Sequence, residues 1–293
     1  MLYSSTTDLL SSRFGIERAV EILVSSGFSA IDFSMFRLNE APFEDGYRAL
    51  AKKLREYANS RGVVFNQGHA PFGRSNYTEY MTELLPLFPR CIEFASLLGI
   101  KNLVIHPTHP KPYYGNEAEI YEENFKIFKS LAPYAKDFGV KIAIENMWSR
   151  NPKTGRICDA FGADPKELYG FYSDLGDKEA FTICLDIGHV ALCGREPEVA
   201  IEKIGREALG ALHVHDVDCI SDLHTLPGCA KLNYDKMCRA LAKINYSGDI
   251  TLEADSFLGR FDTALLPNAS RFMADVAREL RDRVERYKKE AAI

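Results

Sequence analysis

Phe181-Thr182-Ile183-Cys184-Leu185-Asp186-Ile187-Gly188-His189 is an apolar run that stops abruptly in an acid, a glycine and a histidine. Read as a β-strand, it sends Ile183, Leu185 and Ile187 to one side and Thr182, Cys184 and Asp186 to the other, because strand side chains alternate. The first face suits packing under helices. The second is small at its base and acidic at its tip. Three further stretches repeat this design. Residues 141–146 set Ile142 and Ile144 opposite Ala143 and Glu145, and residues 211–216 set Leu212 and Val214 opposite Ala211, His213 and His215. Residues 250–253 set Ile250 and Leu252 opposite Thr251 and Glu253. Strand ends at Glu145, Asp186, His213 and Glu253 therefore offer oxygen and nitrogen donors above small residues. Carboxylates brought that close repel one another unless a cation or protons neutralise them. The expectation is a divalent metal site, with Mn²⁺ or Zn²⁺ first and Mg²⁺ or Co²⁺ as alternatives.

The remaining chain supplies a frame for such a site. Strands are expected at residues 2–7, 30–36, 63–69 and 102–107, and helical spacing follows each. Pro86 and Pro89 predict a broken or late-starting helix before Gly99. Asn116 and Glu119 read as a helix start, as do Asp164, Pro165 and Glu167. Residues 148–162 read as a long loop carrying Arg150, Lys153 and Arg156, and the closing helix as a stripe of Phe272, Val276, Leu280, Val284 and Tyr287. Strand–helix alternation from end to end predicts an α/β fold, a (β/α)₈ TIM barrel in one domain over residues 1–293, with its active site at the strand C-termini. No GxGxxG follows the first strand, which weighs against a dinucleotide-binding open sheet.

A composition of 46% hydrophobic and 26% charged residues is that of a globular protein. The net charge of −5 gives no support for broad attraction to nucleic acid, although a local basic patch would not register in it. No apolar run is long enough to span a membrane. The first residues lack the pattern of a signal peptide, and seven cysteines without a CxxC pair suit reduced thiols. Cytoplasmic location is the expectation, and a homo-oligomer is compatible with the chain. All seven histidines fall at or after expected strand ends and none in an expected helix. His69 and His106 end the third and fourth strands on the same rim as the four donors. His215 is expected to support a ligand rather than be one, and His109 to be a loop residue. Asp222 and His224 form a D-x-H pair that can chelate, although such pairs more often bond locally.

Together these residues carry a family pattern: His-Ala-Pro at 69–71, Ile-His-Pro at 105–107, Ile-Glu-Asn at 144–146 and Leu-Asp-x-Gly-His at 185–189. Leu-His-Val-x-Asp at 212–216, Asp-x-His at 222–224 and Leu-Glu at 252–253 complete it. The chain resembles the xylose isomerase-like TIM-barrel superfamily, which holds sugar isomerases and epimerases together with endonuclease IV. Similarity to the ketose 3-epimerases implies one divalent metal held by Glu145, Asp186, His213 and Glu253. It also implies that Glu145 and Glu253 are the catalytic acid and base, and that His189 contacts a sugar or sugar phosphate. His69, His106, His189, Asp222 and His224 then bind substrate or further metal. Those epimerases carry an arginine just past the metal histidine, where this chain has Val217-Asp218-Cys219-Ile220. Similarity to endonuclease IV implies instead a tri-zinc hydrolase of apurinic-site DNA, using the same donors. Leu226-Pro227-Gly228-Cys229 departs from its Gly-Glu-Gly, and Arg74, Lys111, Arg150, Lys153 and Arg156 form only a partial basic crescent.

Overall fold

Short apolar runs closed by polar tips form the strands β1 (Tyr3–Ser5), β2 (Ala30–Ser34), β3 (Val64–His69), β4 (Asn102–Ile105) and β5 (Lys141–Glu145). Two brief strands, β6 (Trp148–Arg150) and β7 (Ile157–Asp159), precede β8 (Phe181–Asp186), β9 (Leu209–His213) and β10 (Ile250–Leu252). The computed structural model describes residues 1–73 and 77–291, so Arg74 lies outside the described residues. β2, β3, β4, β5, β8 and β9 form one parallel sheet in that order, and β1 pairs in parallel with β10. Bridges Thr6–Asp32 and Val214–Leu252 join the two pieces, so the parallel sheet curls round into a barrel.

Alternation decides what fills the barrel. Val104, Ala143, Cys184 and Ala211 make a small buried layer inside it, while Leu103, Ile105, Ile142, Ile144, Ile183, Leu185 and Leu212 belong to the large cluster under the helices. Two residues beyond each inner position, at the next inward step, stand His106, Glu145, Asp186 and His213. The donors therefore rest on a floor of small side chains at the C-terminal rim.

The proline-bearing segment breaks as its sequence requires. Tyr77–Glu79 is an α-turn, Tyr80–Leu84 a π-helical turn and Leu85–Leu87 a 3₁₀ turn before the regular helix Phe88–Leu98. Asp164 caps the helix Pro165–Leu175 by accepting from the Lys166 amide at 2.8 Å. The helix Glu117–Phe138 starts directly after Asn116 as expected, although the Asn116 side chain makes no capping bond and its amide donates to the Pro112 carbonyl instead. Other expectations are corrected. Residues 148–159 form an antiparallel hairpin of β6 and β7 rather than a loop. The closing helix Leu266–Ala291 buries Met273, Ala277, Leu280 and Val284 and leaves Phe272 55% exposed, because Phe272 lies about 100° round from Met273. Among the described residues no helix is long and apolar enough to cross a membrane, and all seven cysteines are free thiols.

Candidate metal centre

The strand ends bring Glu145, Asp186, His213 and Glu253 together, with ligand atoms all within 4.8 Å of one another. His213 Nδ1 lies 2.8 Å from Glu145 Oε1 and 3.2 Å from Glu253 Oε2, so the imidazole stands between the two glutamates. A second group joins Glu145 with His69 and His106. The Nε2 atoms of those histidines are 3.0 Å apart, and His106 Nε2 is 2.8 Å from Glu145 Oε2 without alignment for a hydrogen bond. A further group contains His189, His215, Asp222 and His224, with Asp222 Oδ2 at 3.1 Å from His224 Nε2 and 3.7 Å from His189 Nε2. Every residue expected from the sequence to bind metal or substrate is therefore in one cluster.

The surrounding backbone orients these rings. His69 Nδ1 bonds the Ala70 carbonyl at 2.7 Å, His189 Nδ1 the Asn146 carbonyl at 2.9 Å and His224 Nδ1 the Glu253 carbonyl at 3.0 Å. A carbonyl only accepts, so each ring donates from Nδ1 and turns Nε2 toward the donor cluster. Asp186 caps the short helix Ile187–Leu192 by accepting from the His189 amide at 2.8 Å. That helix holds Ile187 and His189, which corrects the expectation that Ile187 continues the strand face and that no histidine is helical. Gly188 lies in it because a β-carbon there would collide with the His215 ring. His215, expected to support a ligand, contacts Asp186 and also belongs to the group with His189, Asp222 and His224. Its Nε2 lies 3.0 Å from both Asp186 oxygens, and its ring stacks 4.0 Å from His224.

Charge in the cluster is tightly balanced. Burial works against the ionised form of Glu145, but the charges of His213 and His106 outweigh it and hold the carboxyl well below its usual range. Burial opposes Asp186 in the same way, and His189 and His215 bring it down to about 2. Burial lowers His189 and His224, yet Asp186 and Asp222 lift the first to about 9, and Glu253 and Asp222 lift the second to about 10. The donor set fits a divalent cation: carboxylates interleaved with imidazoles, His213 presenting Nδ1 to the two glutamates, and a buried Glu145 Oε2 with no aligned donor. A bound ion would take over the neutralising work of those protons.

Several contributors were given no role in the sequence reading, although Asn146 and Asp216 stand in its motifs at 144–146 and 212–216. Asp32, fully buried on β2, accepts from Gln67 and lies 3.7 Å from His213 Nε2. Asn146 clamps the backbone of Asp186, accepting from its amide at 2.8 Å and donating to its carbonyl at 3.0 Å. Asp216 gathers the amides of Val217, Gly228, Ala230 and Leu232 and so anchors the loop that carries Asp222 and His224. Trp148, on the hairpin, donates its indole N–H to Asp222 at 3.1 Å. Inward alternation with Ala30 and Ser34 was the signal available for Asp32.

Above the donors opens a cavity of about 340 Å³. Glu145, His189, Asp222, His224 and Glu253 line one part of it, and Phe72, Leu84, Met147 and Trp148 contribute apolar wall. His109 sits on this wall, in the loop where it was expected.

A D-tagatose 3-epimerase-like protein shares the fold with a TM-score of 0.74 at 21% identity, covering 97% of this chain and 100% of that one. A D-psicose 3-epimerase does so at 0.72 and 18%, covering 96% and 99%. The IOLI protein with a bound zinc atom gives 0.69 and 17%, covering 98% and 99%. At these identities the likeness is one of fold. An uncharacterized protein of Methanocaldococcus jannaschii is 29% identical over 63% of this chain, and the match spans 62% of that relative's length. An uncharacterized protein of Sinorhizobium fredii is 24% identical over 82% of this chain and 81% of its own. Residues 20–276 match the model of the xylose isomerase-like TIM barrels, and the chain belongs to that family.

Proposed function

We propose that the protein is a metal-dependent sugar or polyol isomerase or epimerase that works by proton transfer between Glu145 and Glu253. The observation that carries this reading is the position of His213 Nδ1 between the two carboxylates, 2.8 Å from one and 3.2 Å from the other. Glu145, Asp186, His213 and Glu253 would hold the ion, with Mn²⁺ or Zn²⁺ the best suited to the donor set. When bound, it would polarise a carbonyl–hydroxyl pair and acidify the adjacent C–H. One glutamate then takes the proton from that carbon, leaving the electron pair in an enediolate, and the other returns a proton. Return to the opposite face of the same carbon epimerises it. Return to the neighbouring carbon interconverts ketose and aldose. His189 and the apolar walls of the cavity orient the substrate.

Two experiments test this. Metal content of freshly purified protein should be about one divalent ion per chain. A ketose and aldose panel in D₂O should show deuterium entering at the carbon next to the carbonyl, and E145Q and E253Q should each slow that exchange by about 10²–10⁴-fold. A panel with no exchange on any sugar would refute the reading.

The two outer donor groups favour a second reading, a tri-metal phosphodiester hydrolase acting on abasic DNA. Its signature is about three zinc ions per chain with cleavage of an abasic duplex, because Glu145 would then bridge metals instead of carrying a proton.

A further inference from the structure

Three of the rings in the cluster are set by the backbone. His69, His189 and His224 each donate from Nδ1 to a carbonyl and turn Nε2 inward. His213 stands the other way round. Its Nδ1 lies 2.8 Å from Glu145 Oε1 and 3.2 Å from Glu253 Oε2. Its Nε2 points away from both, toward Asp32, and is buried without a hydrogen-bond partner among the described residues. A neutral imidazole has one N–H and one lone pair, so Nδ1 can serve an ion only while the proton sits on Nε2. At this ring no carbonyl fixes that choice.

The carboxylate facing Nε2 is that of Asp32, whose Oδ2 is 3.7 Å away. That separation is too long for a hydrogen bond, but it is a close charge contact. Asp32 and His213 are both fully buried, so no solvent screens the pair. Gln67 holds the carboxylate in place, because its amide donates to Oδ2 at 3.0 Å and reaches the Leu212 carbonyl at 3.5 Å. This bracket links β2 and β9, the outer strands of the six-stranded sheet, and ends one residue before His213. The plane of the His213 ring is fixed as well, by the His69 ring stacked 5.4 Å from it with the planes 8° apart. Asp32 does not line the cavity and so touches no substrate. Its Oδ1 has no partner, and a buried carboxylate met by one neutral amide is costly unless a positive or N–H-bearing group faces it. Val104, Ala143, Cys184 and Ala211, the small inner residues of the barrel, offer Nε2 no acceptor of comparable strength.

We propose that Asp32, held by Gln67, is the positioning residue of His213. Its carboxylate keeps the ring proton on Nε2, and the lone pair of Nδ1 is thereby presented between Glu145 and Glu253, where the ion would bind. Backbone carbonyls perform this task for the neighbouring rings; at His213 a buried side chain does. The inference rests on the metal-dependent part of the reading above and not on the identity of the sugar.

The test uses the full chain, loaded with zinc and labelled with heavy nitrogen at histidine, as wild type, D32N and Q67L. Nitrogen chemical shifts report which ring atom carries the proton and which binds the metal. The His213 signals are identified by contacts with the stacked His69 ring. Wild type should show His213 ligating through Nδ1, with an Nε2 proton that exchanges slowly with solvent. In D32N the asparagine oxygen keeps the Gln67 bond and its amide N–H₂ turns to Nε2, so a donor faces a donor. Zinc affinity, measured against a chelator of known strength, should then fall about 10–100-fold, and the Nε2 proton should shift and exchange faster. Q67L keeps the carboxylate but removes its holder, so a loss of about two- to tenfold is expected. A residue serving the fold alone would lower the thermal stability of metal-free protein and move neither the nitrogen spectrum nor the affinity. That result in D32N, or in Q67L should D32N not fold, would overturn the proposal. Zinc bound through Nε2 of His213 in the wild type would overturn it while leaving the metal centre in place. A wild type that binds no zinc would overturn both.

Discussion

Replacing Asn146 by alanine should weaken both the fold and the metal centre, because one buried side chain holds two strand ends in register. Its amide accepts from the Asp186 N–H at 2.8 Å and donates to the Asp186 carbonyl at 3.0 Å, with Asn146 1% exposed and Asp186 fully buried. Alanine would leave two buried backbone groups unpaired at about 1–3 kcal/mol each, so a loss near 3–4 kcal/mol is expected. Spread over the unfolding entropy of a chain this size, that lowers Tm by about 5 °C. The same change frees the Asp186 carboxylate from its fixed angle to Glu145, and loss of such a support costs about 10–100-fold in metal affinity. Thermal unfolding of chelator-treated protein measures the first effect, and competition against a chelator of known affinity measures the second. A destabilisation under about 1 kcal/mol together with unchanged metal affinity would refute the clamp.

Four further outcomes follow from the same geometry. G188A places a methyl group against the His215 ring, which is already committed to Asp186 and His224, so it should cost about 1–3 kcal/mol and weaken metal binding; a variant as stable as wild type would show that the ring can retreat. D216A removes the acceptor for four amides, and limited proteolysis should then cut within residues 217–232 well before the barrel unfolds. Trp148 is the only tryptophan and bonds Asp222, so metal titration of the apoprotein should shift its fluorescence, and W148F should lose the signal while keeping the metal. Two hydrogen bonds from Arg195 hold the Asp159 carboxyl below its ordinary value, so the hairpin's stabilisation is present above the unfolded carboxylate pKa and is lost as pH falls through the lower folded one. Hydrogen exchange in residues 148–159 should therefore rise selectively in acid, and D159N should show that exchange already at neutral pH.

The barrel and its donors were legible because both depend on a period of two. An inner alanine or cysteine followed two residues on by an acid or histidine states which face a strand turns inward and what it presents at the rim. The hairpin was not legible, since β6 and β7 are three residues each and Trp148-Ser149-Arg150 carries no alternation that separates it from a loop. The helix at Ile187–Leu192 was hidden for a related reason: its start is an Asp186 side chain that caps the helix and at the same time stands in the donor cluster with Glu145 and His213. Asn146, Asp216 and Asp32 act on partners distant in sequence or on the backbone of other loops, and no local pattern encodes that. Phe272 was misassigned because a helix stripe read at spacings of four drifts, and the buried face follows Met273 and Ala277.

The floor of the barrel, made of Val104, Ala143, Cys184 and Ala211, and the wall of the cavity come from different parts of the chain. The floor belongs to strands locked on both sides, where a larger residue would lift the donors. The wall belongs to connections that tolerate insertion and exchange. Inheritance can therefore act on the two separately. A lineage that rewrites the segments around Tyr80, His109 and Trp148 can reshape the cavity while the cluster of carboxylates and imidazoles passes on unaltered. The same separation gives an engineer a plain rule: diversify the connections and leave the small inner residues alone.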